Sequence, residues 1–93
     1  MTKAIQIRVI TPEGQGIADE AISVRAPGAL GSLGVLFNHA PLVTTLQPGP
    51  FSWRRPDGAR KTVRLGAGLM EIVHNQLTVL TDALSLVQEE ASV

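Results

Sequence analysis

Hydrophobic and polar residues alternate with a period of two along most of the chain, which predicts strands rather than helices. Residues 4–11 alternate first and residues 20–25 alternate again, each with apolar side chains on one side. Further strand-like segments follow at residues 33–37, 42–46, 51–55, 60–65, 69–73 and 77–81. Turn residues such as Pro56-Asp57-Gly58 separate these segments and indicate hairpins. Eight or more short strands predict an all-β fold, either an antiparallel β-sandwich or a flattened barrel.

The alternation stops near the end of the chain. From Asp82 onward the apolar residues have no period of two, and Asp82 supports at most a short helical turn. We therefore divide the chain into a β-domain, residues 1–83, and a short C-terminal tail, residues 84–93.

The segment from Ala26 to Gly49 is rich in glycine and proline, and His39 is its only ionisable side chain. Glycine allows positive φ or close backbone approach, and proline fixes φ. The composition predicts a shaped loop between rigid elements, and such loops often carry binding residues. The positions expected to form structural turns, here and in the later hairpin, are Gly34, Pro48, Gly49, Asp57 and Gly58.

Composition excludes several classes of function. The 93 residues have zero formal net charge and no cysteine, which excludes disulfides and thiolate chemistry. No apolar run reaches the length of about 20 residues that a membrane-spanning helix needs. With two Phe, one Trp and no Tyr, the chain has little aromatic surface for stacking on bases or sugars. Contacts with protein are therefore favoured over a ligand pocket.

The sequence does not support a nucleotide-binding loop or a metal site. Glycines 28, 31 and 34 do not have the G-x-G-x-x-G spacing of a nucleotide loop. His39 and His74 occupy different predicted turns without a neighbouring carboxylate, which makes a metal site unfavourable. We expect no cofactor, no metal and no catalytic residue.

Basic residues concentrate on one predicted hairpin, which holds five of the eight in the chain: Arg54, Arg55, Arg60, Lys61 and Arg64. Two interpretations remain open. The hairpin is either a charged edge that discourages strand-to-strand aggregation or a patch for an acidic protein surface. Nucleic acid is the weakest alternative, because only Trp53 is available for stacking.

The segment Leu33-Gly34-Val35-Leu36, followed by residues 38–44 (NHAPLVT) and Pro48-Gly49, resembles the N-terminal domain of the epsilon subunit of F-type ATP synthases, called delta in mitochondria. The flanking motifs agree in order, from Thr-Pro-x-Gly after the first strand to the Asp-Gly hairpin and the late Thr-Val-Leu strand. The resemblance covers nearly the whole chain.

This resemblance implies a sandwich of two roughly five-stranded sheets that performs no chemistry. It implies a rotor subunit of the central stalk that links the gamma subunit to the c-ring and couples proton transport to ATP synthesis. The implied location is peripheral, on the cytoplasmic face of the inner (plasma) membrane, within a hetero-oligomeric complex. No nucleic acid and no direct bilayer insertion are expected.

The resemblance also assigns contact residues. The loop toward the c-ring comprises Pro27, Gly28, Ala29, Leu30, Gly31 and Ser32. The face toward gamma includes the second hairpin, residues 69–81, and the residues His39, Ala40, Pro41, Leu42, Thr44 and Leu46. Two departures are notable: Phe37 replaces a usual proline, and Leu30 and Ser32 stand where many members carry an acidic residue. Because the sequence stops at Val93, we expect no inhibitory helical domain.

Two other classes of protein compete with this interpretation. One is a free-standing small β-barrel that binds a ligand or nucleic acid, and the other is a small β-fold enzyme. The scarcity of aromatic residues and the absence of clustered ionisable residues count against both.

Overall fold

The computed structural model describes residues 3–14 and 16–86, and these residues form ten strands and no helix. The strands are β1 Ile5–Ile10, β2 Gly16–Ala21, β3 Ser23–Gly28, β4 Gly31–Leu36, β5 Leu42–Leu46, β6 Gly49–Arg54, β7 Arg60–Leu65, β8 Gly68–Val73, β9 Gln76–Thr81 and β10 Leu84–Leu86. The expected all-β fold is therefore confirmed.

The strands form two five-stranded sheets, which we name sheet I and sheet II. Sheet I has the order β10-β7-β6-β3-β4, and sheet II has the order β5-β8-β9-β1-β2. The two sheets join at one corner, where β3 and β5 pair through Gly28 and Leu46. Neighbouring strands are antiparallel except β1 and β9, which are parallel. The result is the β-sandwich that the sequence predicted.

One hydrophobic core lies between the inner faces of the sheets. Its members come from alternate positions of the strands, as in β1, where every second residue is buried. This is the expected pattern for a sheet with one face on a core and the other in solvent. The core consists of Ile5, Ile7, Val9, Ala21, Val24, Ala26, Val35, Leu46, Phe51, Trp53, Val63, Leu65, Met70, Ile72, Leu77 and Val79.

Side-chain hydrogen bonds also connect the two sheets, at a site away from the β3–β5 corner. The carboxylate of Asp19, on β2 of sheet II, accepts bonds from the indole N–H of Trp53 on β6 and from Arg55 just after it, at 2.9 and 3.0 Å. Burial by itself would raise the pKa of Asp19. The bonds from Trp53, the backbone N–H of Glu20 and Arg55 outweigh that effect and lower the pKa.

Two parts of the chain differ from the sequence-based expectation. Much of the Ala26–Gly49 segment forms strands, and Gly34 lies inside β4 rather than in a turn. Gly49 begins β6, and the bend is confined to Pro48. The strands extend further because β4 pairs along its whole length with β3.

The last described residues also differ from the expectation, because they form a β-strand. Leu84–Leu86, which the sequence analysis places in the tail, pairs with β7 as β10, and residues 82–86 contain no helical turn. The boundary after residue 83 stays a prediction, and residues 87–93 lie outside the described part of the chain.

Candidate functional site

The outer face of sheet II carries a row of exposed large hydrophobic side chains, which we name the apolar patch. Its members are Ile10, Val43, Leu69 and Leu80, with exposed fractions of 38%, 64%, 45% and 51%. Isolated hydrophobic residues are common on protein surfaces, but contiguous ones mark interaction sites. These four side chains therefore mark an interaction site only if they are neighbours on the sheet.

Strand register makes the patch contiguous. Leu69 on β8 pairs with Leu80 on β9, and Leu80 pairs with Ile10 on β1. Val43 on β5 lies diagonal to Leu69, because Leu69 pairs with Thr45 and Val43 is two residues away on the same face. Directly paired and diagonal side chains on one face lie within contact reach of each other. A shallow groove of about 210 Å³ runs between Val43, Leu69 and Leu80.

The residues assigned to face gamma have different positions in the structure. Ala40 and Pro41 are exposed and His39 is half-buried, all in the β4–β5 connection. On β5, Leu42 and Thr44 share the inward-directed side with Leu46, which is only 4% exposed. The assignment of Leu46 to a partner-facing surface is wrong, because its side chain belongs to the core.

The sequence-based assignment includes the second hairpin among the elements that face gamma, but it names none of the four members of the apolar patch. On β5 the missed residue is Val43, which points outward between two inward-directed neighbours. The signal was available, because strand alternation places Val43 and Thr45 on the opposite face from Leu46. The pairing of β1 with β9 was not readable from the sequence, so Ile10 could not be joined to Leu80.

The segment assigned to the c-ring is a tight hairpin between β3 and β4, with Ala29 and Leu30 at its tip. Leu30 is fully exposed, whereas Pro27 and Gly28 are buried. The backbone N–H of Ala29 donates to Thr45 and that of Gln47 donates to Pro27, at 3.1 and 2.9 Å. These bonds hold the hairpin against β5, so only its tip and the start of β4 are available to a partner.

A pair of asparagines organises the opposite end of β4. Asn38 and Asn75 both have positive φ, 66° and 62°, and their side chains bond to each other at 3.0 Å. The Asn75 side chain also accepts from the backbone N–H of Asn38, at 2.6 Å. This pair connects the β4–β5 turn, which contains His39, with the β8–β9 turn, which contains His74.

Within residues 3–14 and 16–86, no three His, Asp or Glu side chains come together in a way that suits a metal ion. No helix in that part of the chain has the length and apolarity needed to cross a membrane. The arrangement described above offers surfaces for protein contact.

Comparison with known proteins identifies the fold and the family. The family described as "ATP synthase, Delta/Epsilon chain, beta-sandwich domain" matches residues 4–87. The ATP synthase epsilon chain of Moorella thermoacetica is 40% identical over 86 residues. The chain therefore belongs to the ATP synthase delta/epsilon chain family, as the resemblance indicated.

Solved structures contain the same fold. A chain in the mitochondrial ATP synthase of Euglena gracilis (OSCP/F1/c-ring) matches 92% of this chain with a TM-score of 0.84 at 16% identity. A chain in the central stalk/c-ring structure of the Tetrahymena thermophila mitochondrial ATP synthase matches 89% with a TM-score of 0.68. At 16% identity these likenesses show the fold alone.

The matched region is only part of the relatives. It spans 64% of the Moorella thermoacetica epsilon chain and 55% of the matched Euglena gracilis chain. The match in each case is to the β-sandwich described above.

Proposed function

We propose that this chain is a non-catalytic rotor component of an F-type ATP synthase. In this proposal its sandwich links the gamma subunit to the c-ring, so that proton transport and ATP synthesis are coupled. The subunit is peripheral, at the cytoplasmic face of the inner (plasma) membrane, through the complex. Family membership and the apolar patch support this proposal.

The apolar patch is the observation that carries the proposal. A 93-residue domain has little reason to leave four large hydrophobic side chains in one row unless a partner covers them. Specific interfaces typically bury about 800 Å² per partner, with an apolar centre and a polar rim. Around the patch, Arg8, Glu71 and Thr78 lie on the same face and supply such a rim. We assign the outer face of sheet II to gamma.

The tip of the β3–β4 hairpin is the proposed contact with the c-ring. Ala29, Leu30, Gly31 and Ser32 are exposed there, and none of them is charged. Attachment through this tip relies on shape and on the apolar side chain of Leu30. Pro27 and Gly28, which are buried, act as its base.

Co-expression with gamma tests the assignment of sheet II. The variant Leu69→Gln/Leu80→Gln removes the centre of the patch without changing charge, and we expect it to lose co-purification with gamma. The matched control is Leu36→Gln/Leu86→Gln, which changes two leucines of sheet I that are 64% and 81% exposed. That control should co-purify as the wild type does.

Equal retention of gamma by both double variants would refute the sheet II assignment. Equal loss would do the same, because it would show no preference for the patch. Circular dichroism spectra of the variants establish that each one is folded before the comparison is made.

The ligand-binding or nucleic-acid-binding alternative has less support. Phe51 and Trp53, two of the three aromatic residues, are 0% and 4% exposed, so they cannot stack on a base. The indole N–H of Trp53 is also bonded to Asp19.

A further inference from the structure

The outer face of sheet I holds a group of arginines that the gamma and c-ring contacts do not use. We name it the arginine face, and its basic members are Arg25 on β3, Arg54 on β6, and Arg60 and Arg64 on β7. All four are exposed. The five strands of sheet I contain no Asp or Glu, so this face is strongly basic although the chain has zero formal net charge.

Strand register gathers these residues on one side of the sheet. Arg54 pairs directly with Arg60, Arg25 pairs with Ser52, and Ser52 pairs with Thr62. Arg64 lies two residues beyond Thr62 on the same side of β7. Lys61, the neighbour of Arg60, is on the other side, because it pairs with the core residue Trp53.

The direct pairing of Arg54 with Arg60 is electrostatically unfavourable. Directly paired residues place their Cβ atoms about 5 Å apart, and two like charges at that distance destabilise a sheet. Within the described residues, the ion pairs involve only Arg55, and the side chains of Arg54, Arg60 and Arg64 have no hydrogen bond or ion pair. A partner that supplies anions would remove this repulsion.

The charged-edge interpretation does not account for the arrangement. β6 lies between β7 and β3, and β3 lies between β6 and β4, so Arg54 and Arg25 are not at an edge of sheet I. Arg64 is covered by Ser85 of β10. Within the described residues, Arg60 alone of the four lies where β7 has no neighbour on its β10 side. Protection of an open edge therefore gives no reason for Arg25, Arg54 and Arg64.

Two grooves lie along the face, and Ser23, Ser52 and Thr62 contribute polar side chains to them. A groove of about 340 Å³ lies beside Arg25, Arg54 and Arg60, and a second of about 300 Å³ continues past Ser32 and Thr62. Gly34, opposite Arg25, leaves the first groove open, since a Cβ there would meet only the carbonyl oxygen of Val24 at 3.8 Å. The Arg25 guanidinium donates a 3.3 Å hydrogen bond to the hydroxyl oxygen of Ser32, which holds the guanidinium along the face.

We propose that the arginine face docks an acidic polypeptide segment, in addition to the gamma and c-ring contacts of the proposed function. Guanidinium groups bind carboxylates in bidentate fashion, and the serine and threonine hydroxyls between them hydrogen-bond to peptide groups. A groove suits a chain segment better than the flat surface of a bilayer. Exposed aromatic side chains, which nucleic acid binding would use, are absent from the strands of this face, where Phe51 and Trp53 point into the core.

Peptide binding tests the proposal directly. The probe is a fluorescent 12-residue peptide of alternating Glu and Ala, and the control peptide has Gln at every Glu position. We expect the full chain to bind the first peptide and not the second, with loss of binding at 1 M salt, where the screening length falls to about 3 Å.

Paired variants locate the site. Arg54→Gln/Arg60→Gln should weaken peptide binding by about fivefold or more, since it removes two exposed ion pairs with the peptide. Lys3→Gln/Lys61→Gln removes the same net charge from outside the face, and it should change binding by less than about twofold. Relief of the like-charge pair should also raise the Tm of Arg54→Gln/Arg60→Gln by about 2–5 °C.

Several results would overturn the proposal. They are equal weakening by the two double variants, no binding of the Glu peptide, and stronger binding to phosphatidylglycerol vesicles than to the peptide. None of these results bears on gamma binding through the apolar patch.

Discussion

The indole N–H of Trp53 donates a 2.9 Å hydrogen bond to Asp19, and this bond connects the two sheets. Asp19 belongs to β2, the edge strand of sheet II, whereas Trp53 belongs to β6 in the interior of sheet I. Arg55 adds a 3.0 Å ion pair to the same carboxylate. The carboxylate therefore ties an edge of one sheet to the middle of the other.

Replacement of Asp19 should destabilise the sandwich. Asp19→Asn keeps the shape but loses the charge that Arg55 and Trp53 face, and we expect a loss of about 1–3 kcal/mol in the free energy of unfolding at pH 7. The control is Glu20→Gln, which alters the adjacent exposed carboxylate and should cost less than about 0.5 kcal/mol. Urea unfolding of the three proteins measures both values.

The same carboxylate predicts a pH dependence. The folded state lowers the pKa of Asp19, so its contribution is complete above the unfolded pKa of about 4. It is lost as the pH falls through the lower, folded pKa. The stability difference between the wild type and Asp19→Asn should therefore shrink as the pH is lowered from 5 toward 2. A difference that stays constant over this range would contradict the role of the charge.

Asn75 should be more sensitive to alanine than to glycine. Asn75→Gly removes the bonds to Asn38 but tolerates the φ of 62°, and we expect a cost of about 0.5–1.5 kcal/mol. Asn75→Ala loses the same bonds and adds left-handed strain of about 1–2 kcal/mol. Chemical denaturation of both variants, with Asn38→Gly for a double-mutant cycle, separates the two effects. Equal costs for Ala and Gly would show that backbone strain is unimportant there.

Two glycines of the same hairpin should respond in opposite ways to alanine. A Cβ on Gly28 would lie 2.7 Å from the carbonyl oxygen of Gly31, and we expect Gly28→Ala to cost about 1–3 kcal/mol. A Cβ on Gly34 would meet nothing closer than 3.8 Å, and an exposed strand position gains from a side chain. Gly34→Ala should leave the Tm unchanged or raise it. A large loss at Gly34 would mean that this position needs glycine for another reason.

Substitutions at the hairpin tip should separate attachment to the c-ring from stability. Leu30 is fully exposed, so Leu30→Ser should leave the Tm unchanged while weakening the coupling of ATP hydrolysis to proton pumping. Gly31 has a φ of 131° and open space around it, so Gly31→Val should add backbone strain of about 1–3 kcal/mol and also uncouple.

Reconstituted membranes that lack their own epsilon provide the assay for these tip variants, with Leu36→Ser as the control for an exposed leucine elsewhere on sheet I. Normal coupling with both Leu30→Ser and Gly31→Val would show that the hairpin does not contact the ring. Reduced coupling with Leu36→Ser as well would show that the effect of Leu30→Ser is not specific to the hairpin tip.

The fold class could be predicted from the amino-acid sequence, because strand alternation and turn residues act locally. In β1 the alternating apolar residues Ile5, Ile7 and Val9 identify the side that faces the core, and the Pro-Asp-Gly turn predicts the β6–β7 hairpin. The ordered Gly/Pro pattern from Leu33 to Gly49 also sufficed to indicate the family. These signals need no knowledge of which strands become neighbours.

Which residues share a surface depends on how distant strands pair in the folded protein. Leu46 resembles a contact residue in the sequence, yet it pairs at the corner of the sheets and is buried. The apolar patch requires β1 beside β9, and the arginine face requires β3 beside β6, and both are pairings between strands far apart in the chain. The basic β6–β7 hairpin is visible in the sequence, because its two strands are consecutive. Alternation shows which side of its own strand a residue occupies, but the neighbours contributed by distant strands follow from non-local hydrogen bonding, so neither surface could be completed from the sequence.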